Sequence, residues 1–155
     1  MNLSLGTSME RRTGAMAGRT EQSPVRGKVD TRLKIAALWT AMLFIFAYVD
    51  LFSLYRPDVR ADLEAGRLFA FDVSQTFLFL TTLYIIFPSL MIYLTLVLPR
   101  GITRGLNVAL AAVYAVTVVG SAVGEWGYFV LGSAAEAALL GAVVYHAWTW
   151  RETDG

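Results

Sequence analysis

The run VSQTFLFLTTLYIIFPSLMIYLTLVL, Val73–Leu98, decides the class of this chain. It holds no charged side chain, and it exceeds the roughly 20 residues a helix needs to cross the hydrocarbon of a bilayer. In lipid its amides and carbonyls find partners only within the segment itself, so helix is the form it must take. Pro88 sits inside the run, removes one amide donor and predicts a kink. Asp72 ahead of it, with Gln75 three residues on, reads as a capping box, and Pro99-Arg100-Gly101 ends it.

Three further apolar runs flank it, at about 34–55, 106–124 and 128–150. Composition agrees: 56% of residues are hydrophobic and 16% charged, where a soluble domain carries about a quarter charged residues. The mean hydropathy is +0.54. The expected fold is therefore all-α, an integral membrane four-helix bundle over residues 30–151. Residues 1–29 are polar, rich in Gly, Ser, Thr and Arg, and too poor in large apolar side chains to offset their ordering entropy; they read as a disordered tail. No apolar segment of signal-peptide type precedes residue 35, so the first run reads as a retained span. Between the first two spans, residues 57–65 read as a short interfacial helix. Pro57 stands in its first turn, Val59 and Leu63 share one face, and Gly66 closes it. Thr103 is the expected cap of the third span.

Several functions are excluded early. A net charge of +1 without a clustered basic excess gives no footprint for nucleic acid, and the expected partner is the lipid bilayer. Without cysteine there are no disulfides, thiolate metal sites or cysteine nucleophiles. No phosphate-binding loop, serine-hydrolase elbow, zinc-protease motif or dinucleotide fingerprint is present. His146, the lone histidine, lies near the end of the fourth span beside Trp150 and cannot by itself form a haem pair or metal triad. No catalytic, cofactor-binding or metal residue is assigned, and the cofactor, if there is one, stays unknown.

Lysine and arginine near the spans set the orientation. Arg26, Lys28, Arg32 and Lys34 precede the first span, Arg100 and Arg104 lie between the second and third, and Arg151 follows the fourth. The first loop offsets Arg56, Arg60 and Arg67 with Asp58, Asp62, Glu64 and Asp72, and the third loop has no basic residue. Both termini are expected in the cytoplasm of a cell with this protein in its inner membrane, with loops one and three outside.

On that topology Asp50, Glu136 and Glu125 fall in the outer half. Asp50 is roughly 7–8 Å and Glu136 roughly 12 Å inside the outer edge at the helical rise per residue. Ionisable groups within spans are costly and usually face the bundle interior or water. Such carboxylates suit a cation, a proton relay or a basic ligand; the competing reading is structural contacts with Arg56, Arg60, Arg67, Tyr48 or a serine. Glu125, at the interface, reads as solvated. Gly120 and Gly124 form a GxxxG row, read as close packing within the bundle or as the face of a homo-oligomer.

The elements Lys34-Ile-Ala-Ala-Leu-Trp39, Tyr48-Val-Asp50, Phe87-Pro88-Ser-Leu-Met91-Ile92, Leu98-Pro99 and Arg104 through Asn107 resemble a bacterial family of small four-span membrane proteins whose function is not assigned. The resemblance covers about residues 34–150. It implies an inner-membrane bundle with a proline-kinked second helix, and it puts the family's aspartate near the end of the first span on Asp50. DoxX-type four-helix bundles are a more distant likeness. Three functions stay open: a non-enzymatic membrane component, a small ion- or proton-coupled transporter or binding protein using Asp50 and Glu136, and a membrane subunit of a redox or lipid-processing enzyme.

Overall fold

The computed structural model describes residues 29–68 and 71–150; the tail expected over residues 1–29 lies outside them but for Val29, as does Arg151. Among the described residues the chain forms α1 (Thr31–Ser53), α2 (Pro57–Glu64), a two-stranded antiparallel hairpin β1 (Arg67–Leu68) and β2 (Phe71–Asp72), then α3 (Gln75–Val97), α4 (Arg100–Ser121) and α5 (Gly127–Thr149). Four of these helices, 22 or 23 residues long, are apolar and long enough to cross a bilayer. The protein is a multi-pass membrane protein with four spans.

The helix ends depart from the expected ones where polar residues do the capping. Asp30 caps α1, its carboxylate accepting from the Arg32 amide at 2.9 Å, so the helix starts a turn before the apolar run. The cap of α3 is Ser74, whose hydroxyl accepts from the Phe77 amide at 3.1 Å; Asp72 instead pairs with Arg67 in the hairpin, and the capping box does not form. Helix α4 starts at Arg100 rather than at residue 106. Thr103 is therefore not its cap but lies in its first turn, its hydroxyl donating to the carbonyls of Leu98 and Pro99 at 3.1 Å. Proline before the first turn favours that early start, and hydropathy could not reveal it because the turn is polar. The interfacial helix forms almost as expected, with Pro57 in its first turn and Gly66, at φ +74°, behind it.

Helix α1 packs extensively on α3 and on α5, and α5 on α4, while α3 and α4 share only a thin seam. The buried apolar core is concentrated toward the end of the bundle that carries both termini. Ile35, Trp39 and Met42 of α1 meet Met91 of α3, Ala111 and Tyr114 of α4, and Leu140, Val143 and Ala147 of α5. At the opposite end, called here the loop end, α3 leaves the bundle: every residue from Gln75 to Leu83 except Phe77 is exposed. The change comes at Pro88. Proline has no amide for the carbonyl four residues back, that of Tyr84. The Tyr114 hydroxyl of α4 donates to that carbonyl, and the Tyr84 hydroxyl bonds Thr117 of α4 at 2.6 Å, with the two tyrosine rings 4.5 Å apart.

The expected glycine row does not pack inside the chain. Gly120 faces open space, and Gly124 lies beyond the end of α4 at φ +82°, where it turns the chain. The close helix approach is at Gly132 of α5, where a Cβ would overlap the Val49 side chain of α1.

Replacing Tyr114 by Phe is expected to destabilise the bundle by about 1 kcal/mol, because the Tyr84 carbonyl loses its donor. Pro88→Ala, which restores a backbone donor, should recover most of that loss. A double-mutant cycle by denaturant titration in micelles measures it, and additive effects of the two changes would refute the link.

Candidate functional site

Three polar constellations lie along the bundle. The first, within the packed half, is complete. The Trp39 indole N–H donates to Asn107 Oδ1 at 2.6 Å, and the Asn107 amide donates to the Thr103 carbonyl at 2.8 Å and to the Thr95 hydroxyl at 3.1 Å. All four residues are buried. At the adjacent end Arg32 of α1 donates to the carbonyls of Leu96 and Leu98 at 2.9 and 2.8 Å, which satisfies the last turn of α3. Arg32 and Arg100 lie over the Trp150 ring and Arg104 over the Trp148 ring. His146 stands edge-on to the ring of its neighbour Tyr145 and belongs to no group of three ligand-type side chains among the described residues. These contacts hold helices together.

The second constellation closes the loop end. Arg56, buried to 8% exposure, ion-pairs with Glu125 from the third loop and with Asp58 of α2, and lies 4.7 Å over the Trp126 ring. The Ser53 and Tyr128 hydroxyls bond at 2.9 Å beside it. Its hydrogen bonds to the Asp58 carboxylate hold the Arg56 guanidinium charged at every accessible pH, and in return Arg56 holds the Asp58 carboxyl below its usual range. Glu125, expected to be solvated, is instead an ion-pair partner with only 15% side-chain exposure. Its loop folds back over α1, and a carboxylate there is kept by the guanidinium it meets. Arg56, offered by the sequence as a partner for Asp50 or Glu136, is taken by Glu125 and Asp58; Arg67 bonds Asp62 at 3.4 Å.

The third constellation is incomplete. Glu136 of α5 is 3% exposed and Ser133, one turn before it, 5% exposed, yet neither has a hydrogen-bond partner among the described residues. Among those residues no completely enclosed side-chain nitrogen or oxygen lacks a partner, so the Glu136 carboxylate oxygens are not completely sealed in. Asp50 of α1 is exposed and likewise unbonded among the described residues. Asp50 and Glu136 lie within electrostatic range of each other, and the neutral Tyr84 lies within range of both. The cause of this grouping is the Gly132–Val49 contact: it draws α5 onto α1 next to Asp50, and Glu136 follows one turn along. Tyr84 arrives from α3 at the last tie before that helix diverges. Sequence reasoning did not find Tyr84, and its only available signal was its place four residues before Pro88.

Among the described residues no three His, Asp or Glu side chains converge as metal ligands would. The candidate site is thus a carboxylate pair, with a serine and a tyrosine, set where the bundle opens. The family described as "Family of unknown function (DUF6326)" matches residues 27–155. The chain belongs to this family. The expected likeness to a four-span family without assigned function holds over the whole helical region. No curated protein and no solved structure matches the chain, so the DoxX-type likeness gains no support.

Arg56→Ala should destabilise the protein by about 3 kcal/mol, because it strands the half-buried Glu125 carboxylate. Asp58→Asn should cost far less, its carboxylate being half-exposed. Since Arg56 lowers the Asp58 value, the contact is complete at neutral and mildly acid pH and is lost only below the ordinary carboxylate range. Thermal denaturation as a function of pH checks both points; a loss of the Asp58 contribution near neutrality would contradict them.

Proposed function

We propose that this protein is a non-enzymatic membrane bundle that takes up a proton or small cation at the Asp50–Glu136 pair. One observation carries the reading: Glu136 is almost wholly buried and has no hydrogen-bond partner among the described residues, while its carboxylate oxygens are not completely sealed in. A carboxylate kept only for structure would be paired, as Glu125 is with Arg56. An unpaired buried carboxylate costs stability, and such costs are retained where a group has work to do.

The same proposal gives the bundle a direction. Arg32, Lys34, Arg100 and Arg104 flank the end that carries both termini, which supports placing that end in the cytoplasm and the site in the outer half of a bacterial inner membrane. Reporter fusions after Gly66 and after Gly127 should both report the outside; cytoplasmic activity at either would overturn the orientation.

Glu136→Gln is the decisive variant. If the residue works as proposed, the change abolishes a carboxyl band that titrates in infrared difference spectra and leaves thermal stability equal or higher, because a neutral isostere is cheaper to bury. A structural carboxylate predicts the reverse: no titrating band in the parent protein, and a stability loss of about 1–3 kcal/mol in the variant.

A further inference from the structure

The chain between α1 and α3 does more than join them. Helix α2 lays Val59, 6% exposed, against the end of α1, and β1 brings Leu68 to the same place. With Ala47 and Leu51 of α1 and Leu54 just beyond its end they line a cleft of about 370 Å³, in the range of small-molecule sites. The lining is apolar except at two positions. The Ser53 hydroxyl is already bonded to the Val49 carbonyl and to Tyr128. Asp50, the single charged side chain in the lining, has no hydrogen-bond partner among the described residues. Of the three arginines in the first loop, Arg56 is committed to Glu125 and Asp58 and Arg67 to Asp62, while the exposed Arg60 makes no ion pair with Asp50 among the described residues.

A cleft of this kind has a specific complement. A hydrated divalent cation needs six or more oxygen ligands, and the aliphatic walls offer none. An anion would meet the carboxylate of Asp50 and be repelled by it. A neutral apolar molecule would bury the carboxylate without a partner, which is costly. One positive charge carried on an apolar body satisfies both the walls and the carboxylate.

We propose that this cleft binds an amphipathic organic ammonium, its charged head on Asp50 and its apolar body against Leu51, Leu54, Val59 and Leu68. The inference deepens the reading of Asp50 as a working carboxylate and rests on it.

The test uses the full chain in nanodiscs of zwitterionic lipid, with n-octylammonium as the probe and 1-octanol and octanoate as controls of matched tail, followed by calorimetry. Octylammonium should bind saturably. Asp50→Asn, and Leu54→Trp placed to fill the cleft from its half-exposed rim, should each weaken it about tenfold or more. Equal binding of octanol, or unchanged binding to the Asp50→Asn protein, overturns the proposal. The two readings fail separately. A titrating carboxyl lost in Glu136→Gln but no octylammonium binding by the parent protein overturns the ammonium site and leaves proton or cation uptake standing. Octylammonium binding that requires Asp50, with no titrating carboxyl, supports the cleft and overturns the role of Glu136.

Discussion

The carbonyl of Tyr84 is the group on which the shape of this bundle turns. Pro88 takes away its amide partner, and in hydrocarbon no water can replace it. The Tyr114 hydroxyl supplies the missing donor from α4. That bond, with the Tyr84–Thr117 hydrogen bond and the stacked tyrosines, pins α3 to α4 at one level. On one side of the pin, Met91 and Thr95 continue into the core; on the other, α3 turns nearly all its residues outward. A helix with every backbone bond intact would have had no reason to be fastened there rather than along its length.

The pin divides two solutions to one problem, the cost of polar groups in a membrane. In the packed half the polar side chains bond one another: the Trp39 indole, the Asn107 amide and the Thr95 and Thr103 hydroxyls form a closed set, and Arg32 satisfies the last carbonyls of α3. In the open half Glu136 and Ser133 are also buried but have no hydrogen-bond partner among the described residues, and Asp50 faces a cleft. The Arg56 clasp over the loop end shows that cations were at hand for pairing with carboxylates. They are used to tie the first loop to the third instead, so the unbonded state of Asp50 and Glu136 is local and selective.

How far the sequence could be read follows from the range of the forces involved. The four spans and the short helix at Pro57 were legible because hydrophobicity over some 20 residues and a proline in a first turn are local properties. The ends of α3 and α4 were less so. Ser74 rather than Asp72 caps α3 because the hairpin claims Asp72, a pairing that depends on residues on the far side of a turn. The Gly120–Gly124 spacing suggested a packing row, but the same spacing on a face turned outward and on a turn beyond a helix packs nothing within the chain. The glycine that matters, Gly132, is recognisable only once Val49 stands against it.

The candidate site divides in the same way. The sequence alone determined that Asp50, Glu125 and Glu136 belong near one end of a four-span bundle, because span length and helix direction place them there. Only the tertiary structure decided that Glu125 is half of an ion pair, that Arg56 serves it rather than Asp50 or Glu136, and that Tyr84 comes within electrostatic range of the carboxylates. The physical reason is that depth along a helix is set by residue count. Whether a buried carboxylate finds a partner depends instead on which side chains other helices bring within about 3 Å of it, and no local pattern carries that information.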